Sequence, residues 1–523
     1  MSEANVAEFN LKIIKIFFVL VIAMLVLAMT SGINIIHNKK FFDWSKLKME
    51  MDFIKYKRAL AADDKNKESF SPNPEGRFAK SVPVLLYHGI ITEPSWEEDG
   101  TNITLQNFQD QMFALRRAGY KTITLSEFSE YTQGRKELPD KSILITFDDG
   151  RKDSYREADP IFRALGYNAV MFLITGRSLG KNSAGDNFYL GKSELEEMTK
   201  SKRWEIQSHG DYDHDWMQID PAGEKGHFMS NLLFLAHKNR NETVDEAKKR
   251  ILADLENSKK KIEGELDQKV VSFAYPFNDF GQAGNNFSGA QDFIAQNISK
   301  IYPLTFYQEE LSEPIVNFPD PDNFMIKRIN VDSSFRTDNL LELLAENREK
   351  LLPWSDTFWN NSGWRTKWGN TKIWGDLTIS EAEERGGNMT VLLGSSLWKD
   401  YSVRGKVHLA SGASVSQVVR YKNEENYAVC NFDTTEISIL QKIDGKSTVM
   451  AAKPGNFGNL PGVDHEIGAE VRGDAMSCFL DGKKELEGKL NPSLAAGGIG
   501  YYIWDDIAEN AVVSIKKVDV FPL

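Results

Sequence analysis

At 523 residues the chain is long enough for two to four domains of roughly 150 residues each, which excludes a single small binding module. Its 63 Lys and Arg against 75 Asp and Glu leave a net charge of −12, the wrong sign for gripping nucleic acid phosphates, so no nucleic acid partner is expected. A hydrophobic fraction of 41% with 26% charged residues is that of globular protein, and two cysteines, Cys430 and Cys478, exclude a disulfide-dense scaffold or a Cys-rich metal site.

The first element is Ile16 to Ile36, 21 residues without a charge, about the ~20 needed for a bilayer-spanning helix. Residues 1–36 read as an uncleaved signal anchor. A cleaved signal peptide is the alternative, since Lys12 and Lys15 precede the apolar run, but no small-x-small site and no lipobox cysteine follows. Lysines flank both ends, so charge bias does not set the orientation. Residues 37–80 are expected to be a linker, with polar Ala61 to Lys80 as its tether.

Residues 81–350 alternate strand-like and helix-like segments. Val82 to Tyr87 is an apolar strand, and Thr104 caps a helix that buries Phe108, Met112 and Leu115 and stops at Gly119. Strands follow at Lys121–Leu125, Ser142–Phe147 and Ala169–Ile174. Thr243 and Glu246 form a capping box for a long helix with the stripe Val244, Ala247, Ile251, Leu255 and Ile262, and strand Val270–Ala274 comes next. Repeated β-α alternation implies a parallel sheet, open or closed into a barrel, with its functional groups at the carboxyl ends of the strands. Residues 351–523 lose helical periodicity. Strict alternation in Tyr401–Leu409 and Asp-Gly turns at Asp444-Gly445 and Asp481-Gly482 predict an all-β sandwich.

Three pieces of the α/β region carry chemistry. In Ile143-Leu-Ile-Thr-Phe-Asp-Asp-Gly150 two carboxylates emerge where a buried strand ends; an ordinary Asp-Gly turn is the bland alternative. Ser208-His-Gly-Asp-Tyr-Asp-His214 places two imidazoles five residues apart after another strand. Two His and one Asp make a three-ligand divalent site that keeps positions open for water and substrate. The third piece, Phe273-Ala-Tyr-Pro-Phe-Asn278, is a constrained turn whose backbone N–H can serve a developing oxyanion.

In this order and at these spacings the pieces resemble the polysaccharide deacetylase family, carbohydrate esterase family 4 with its NodB-homology domain, from about Val82 to Leu344. The opening P-V-L-x-Y-H and the His-x4-His spacing are most similar to the poly-β-1,6-N-acetylglucosamine deacetylases. The resemblance implies a deformed (β/α) barrel and metal-dependent hydrolysis of N-acetyl groups from a polysaccharide. It makes Asp148 the general base, Asp149, His209 and His214 the metal ligands, and His88 the general acid. Phe277 would offer its N–H to the oxyanion, and Tyr275 and Pro276 would contact substrate. The implied cofactor is a divalent cation, zinc first, with nickel, cobalt or iron as alternatives.

Two features depart from the family pattern. Ala274 stands where an arginine usually orients the base, and the late Leu-x-His motif is missing. They leave a catalytically impaired, glycan-binding relative as the alternative function. Arg328 is a candidate replacement cation, with a surface salt bridge as the plainer reading.

The β region resembles concanavalin A-like or laminin G-like jelly-roll sandwiches, on Arg420-Tyr421, Asn426-Tyr427 and Phe479-Leu-Asp-Gly482. It holds seven of the eleven tryptophans, which serve as core or stack on sugars. Cys430 and Cys478 are either bridged or buried as free thiols. A polymer substrate of this class places both domains outside the cytoplasm, held at the cell membrane by the anchor.

Overall fold

The computed structural model describes residues 44–65, 78–94, 96–180, 186–284, 286–308, 315–382, 386–456, 460–504 and 510–523. The expected anchor at residues 1–36 lies outside them. Among the described residues no helix is long and apolar enough to cross a membrane.

Seven parallel strands close a barrel: β1 (Val84–Tyr87), β2 (Ser142–Phe147), β3 (Ala169–Leu173), β4 (Trp204–Ser208), β5 (Ser272–Ala274), β6 (Leu304–Gln308) and β7 (Met325–Asn330). β1 closes the ring by pairing with both β2 and β7, with Leu85 opposite Ile145 and Ile329. The short strand Lys121–Thr122 adds to the amino end of β2, outside the ring. A strand covered on both faces reads as a continuous apolar run, and period-two alternation sorts these runs into two cores. Val84, Leu144, Val170, Phe172, Ala274, Phe306 and Ile326 fill the lumen. Leu85, Ile145, Met171 and Ile206 face outward onto helices, against Phe108 and Phe162 among others.

Those helices begin where the sequence signals them. Thr104 Oγ1 accepts from the Asn107 amide at the start of Leu105–Arg117. Thr243 and Glu246 form the expected capping box of the 23-residue helix Val244–Leu266, although Val244 itself is exposed.

The expected linker is partly structured. Residues Trp44–Lys65 form helix α1, which lies along α2 (Lys152–Leu165). Its Tyr56 is buried, Lys48 pairs with Glu157 at 2.6 Å, Glu50 with Arg163 at 2.5 Å and Asp64 with Arg116 at 2.8 Å, and the Arg163 guanidinium sits 3.9 Å over the Phe53 ring. Met49, Tyr56 and Leu60 form a short apolar face that packs on the outer core, and the many charged residues around them conceal the helix in the sequence.

From Trp354 onward the described elements are β-strands and one 3₁₀ turn, in two antiparallel sheets. One sheet centres on Tyr401–Ser411 paired with Val512–Pro522, the other on Ser414–Asn423 paired with Gly498–Trp504. Their inner faces share one core that includes Trp364, Trp398, Tyr401 and Tyr501. Cys430 and Cys478 form a disulfide that joins the two sheets through this core, Cα to Cα 5.7 Å, which decides between the two thiol states.

Candidate metal centre and active site

Four barrel strands deliver the site at their carboxyl ends: β1 into His88, β2 into Asp148 and Asp149, β4 into His209, and β5 into the Tyr275-Pro276-Phe277 turn. The turn after β2 is tight, since Asp149 and Gly150 both adopt left-handed φ of 72°. A Cβ on Gly150 would also meet Leu173 Cδ1 at 2.4 Å, so glycine is required there. For Asp149 the same conformation is a strain characteristic of functional sites.

Asp149 Oδ1 lies 3.2 Å from His214 Nε2 and 3.6 Å from His209 Nε2, and one ligand atom from each of these residues falls within 4.8 Å of the others. His209 Nδ1 is 2.8 Å from the Ala274 carbonyl; a carbonyl only accepts, so Nδ1 carries the proton and Nε2 presents its lone pair. Gly210 lets the intervening loop return, because a Cβ there would strike Asp213 Oδ1.

The charge states of Asp149 and His209 suit ligation, and that of His214 requires loss of a proton. Burial would raise Asp149, but the hydrogen bond from His214 and the charges of His88, His209 and His214 hold it well below the usual carboxylate range. Burial pushes His209 down to about 4, so its imidazole is neutral at working pH. His214 is raised: its burial, which lowers it, is outweighed by the bond and charge of Asp149. A buried carboxylate oxygen with two imidazole nitrogens aimed at it is a donor set that fits a divalent cation.

Asp148 is fully buried beside this set, its Oδ2 3.9 Å from His209 Nε2. Arg328 grips it with two bonds, Nη1 to Oδ1 at 2.6 Å and Nη2 to Oδ2 at 2.8 Å. The surface salt bridge expected of Arg328 is therefore corrected, since the residue is 0% exposed and is bonded to Asp148 inside the barrel. Parity explains the placement: Leu144, Thr146 and Asp148 alternate onto the lumen face, as do Ile326 and Arg328. Burial favours the neutral acid in Asp148, yet Arg328 above all, then His209 and His88, keep it below its ordinary value.

His88 acts electrostatically on both aspartates, and its Nδ1 is buried without a hydrogen-bond partner among the described residues. Tyr275 and Pro276 do not present the expected contact surface. Both are buried; the Tyr275 ring packs on Phe273 and Phe280, and burial pushes its hydroxyl up to about 12. Their part is to shape a turn that pushes out Phe277, which is 38% exposed at φ 54°.

The Phe277 ring lies 4.4 Å from the His214 ring, 5.1 Å from His227 and 5.8 Å from Trp216. Trp216 and His227 face each other across a small hairpin, Trp216–Gln218 with Lys225–His227. Neither was found from sequence, where three-residue strands leave no periodic signal. A groove of about 750 Å³ at the amino ends of β1 and β2, lined by Ser81, Asp140 and Arg348, is at the opposite end from this chemistry.

Residues 135–286 match the polysaccharide deacetylase family. The chain is 32% identical over 119 residues to YxkH of Bacillus subtilis (strain 168), a match covering 23% of this chain and 39% of that one. It is 25% identical over 260 residues to the poly-beta-1,6-N-acetyl-D-glucosamine N-deacetylase of Staphylococcus epidermidis, covering 49% and 77%. A solved de-N-acetylase from Aggregatibacter actinomycetemcomitans aligns with 50% of this chain and 99% of its own at 20% identity and a TM-score of 0.43. The chain thus spans well under two thirds of the first of these relatives. The segment of the barrel that matches the polysaccharide deacetylase family, residues 135–286, contains the Asp148-Asp149 pair and both histidines, His209 and His214.

Proposed function

We propose that the protein removes N-acetyl groups from a polysaccharide containing N-acetylglucosamine, with a β-1,6-linked exopolysaccharide ahead of peptidoglycan or chitin-like polymers. The observation that carries this reading is the juxtaposition of a ligand triad with a separate, arginine-held carboxylate. A divalent cation held by Asp149, His209 and His214, zinc before nickel, cobalt or iron, would supply Lewis acidity and a water of lowered pKa. Asp148, kept ionised by Arg328, accepts the proton of the attacking water. The amides of Asn278 and Asp279 close the turn onto the Tyr275 and Pro276 carbonyls, which supports the Phe277 N–H as the donor to the oxyanion. His88 gives a proton to the departing amine, and acetate and a free glucosamine unit result.

Arg328 disfavours the impaired-relative reading, because the orienting cation is present although it comes from a different strand. The Cys430–Cys478 bridge supports an oxidising compartment, in keeping with an anchor in residues 1–36 and both domains outside the cytoplasm. Acetate release from poly-β-1,6-N-acetylglucosamine, peptidoglycan and chitin oligomers tests the proposal. Release from the first above the others is expected; release from none by metal-loaded protein would overturn it.

A further inference from the structure

Three tryptophans of the sandwich lie outside its cores: Trp504 at the end of a strand, 46% exposed, and two that are far more exposed on loops. Trp359 is 77% and Trp374 86% exposed, whereas Trp364 and Trp398 are buried. They sit on two loops that are tied together. The Gly375 amide donates to the Phe358 carbonyl at 2.9 Å, and the Trp374 amide to the Asp376 carbonyl at 3.0 Å. A Cβ on Gly375 would lie 3.9 Å from Trp359 Cζ3, so the Trp359 ring rests beside the backbone that carries Trp374.

The loop under Trp359 is firmly built. Asp356 accepts from the Phe358 amide at 2.8 Å and from the Trp364 indole N–H at 3.0 Å, and the buried Phe358 ring packs on Trp364. The indoles are therefore presented by a rigid frame, which reduces the ordering cost of binding. Exposed Asn360 follows Trp359 directly in the chain, and its Oδ1 accepts from Ser362 Oγ at 3.4 Å.

We propose that Trp359 and Trp374 form a stacking platform for pyranose rings, a second and non-catalytic site for the same polysaccharide; this rests on the reading of the barrel as its deacetylase. Aromatic faces stack on the C–H faces of sugar rings while neighbouring amides meet the hydroxyls. The net charge of −12 opposes an anionic lipid surface as the occupant and favours a polymer that gains ammonium groups as acetyl groups are removed. Holding one stretch of polymer on the sandwich raises the effective concentration of its neighbouring units at the barrel.

The test uses the full chain, metal-loaded, with immobilised poly-β-1,6-N-acetylglucosamine as the probe. In the Trp359→Ala/Trp374→Ala variant, polymer affinity should fall about tenfold or more, which corresponds to ~1.4 kcal/mol. Acetate release from short oligomers should stay at the wild-type rate, and Trp359→Tyr should restore part of the binding. Undiminished polymer binding by the double variant would overturn the platform, as would a variant that loses only association with anionic phosphatidylglycerol vesicles or with itself. If the wild type binds polymer through these tryptophans but releases no acetate, the deacetylase reading fails and the platform stands.

Discussion

Asp148 and Arg328 meet inside the barrel through two hydrogen bonds of 2.6 and 2.8 Å, with both side chains sealed from solvent. They come from β2 and β7, the two strands that flank β1 at the closure of the ring. The contact that orients Asp148, the proposed base, also ties that closure.

Arg328→Met is expected to lower turnover and to destabilise the barrel by about 3–5 kcal/mol, the usual cost of leaving one buried charge unpaired. With the guanidinium present, the folded pKa of Asp148 is depressed. The stability it contributes is present above the unfolded value of about 3.9 and lost as pH falls through the lower folded value. Removing Arg328 lets burial dominate and raises Asp148, so the acidic limb of the kcat/KM profile should move to higher pH. An unmoved limb in a folded variant would assign that limb to another group.

Much of the site was legible because His88, Asp148, Asp149 and His209 each stand at or just past a strand's carboxyl end, and a parallel sheet gathers its strand ends on one edge; His214 was reached only through its spacing from His209. Arg328 was misjudged since a cation within Met325–Asn330 looks like a surface residue until the strand is known to line a closed lumen. Counting by twos from Ile326 would have pointed it inward. Helix α1 is hidden because charged residues surround its few core-facing apolar ones, Met49, Tyr56 and Leu60, and Trp216 and His227 because their hairpin is too short to show a period. In the β region, sequence located the strands but could not separate the buried Trp364, which lies in a strand, from the exposed Trp374, which lies in the loop after Asn370–Ile373.

The inter-sheet bridge gives a second prediction. Cys430 and Cys478 are separated by 48 residues, and removing a cross-link over such a loop typically costs about 2–4 kcal/mol. The Cys430→Ala/Cys478→Ala variant should show that loss in denaturant unfolding of the sandwich while metal content at the barrel stays the same. Unchanged stability would mean that the packed sheets hold without the bridge.

A third prediction separates amide from ester chemistry at His88. An amine leaving group must be protonated as the carbon–nitrogen bond breaks, whereas an activated ester needs no such proton. His88→Ala should bind metal normally and lose about 10²–10⁴-fold on N-acetylglucosamine oligomers, with a much smaller loss on an activated acetate ester. Equal losses on the two substrates would remove His88 from the acid role.

Metal loading should depend on pH through the histidines. His214 is raised and must lose its proton to ligate, while His209, at about 4, is already neutral. Zinc affinity, measured by competition with a chelating dye, should therefore weaken as pH falls through the His214 titration. Affinity that stays constant from alkaline to mildly acidic pH would exclude His214 as a ligand.

The division of labour between the adjacent aspartates is tested most directly by measuring bound metal and acetate release together in Asp148→Asn and Asp149→Ala. Asp148→Asn is expected to keep a full complement of metal and lose about 10²–10⁴-fold in turnover, as for a general base, while Asp149→Ala loses metal and turnover together. Wild-type turnover in Asp148→Asn, or full metal content in Asp149→Ala, would contradict the assignment.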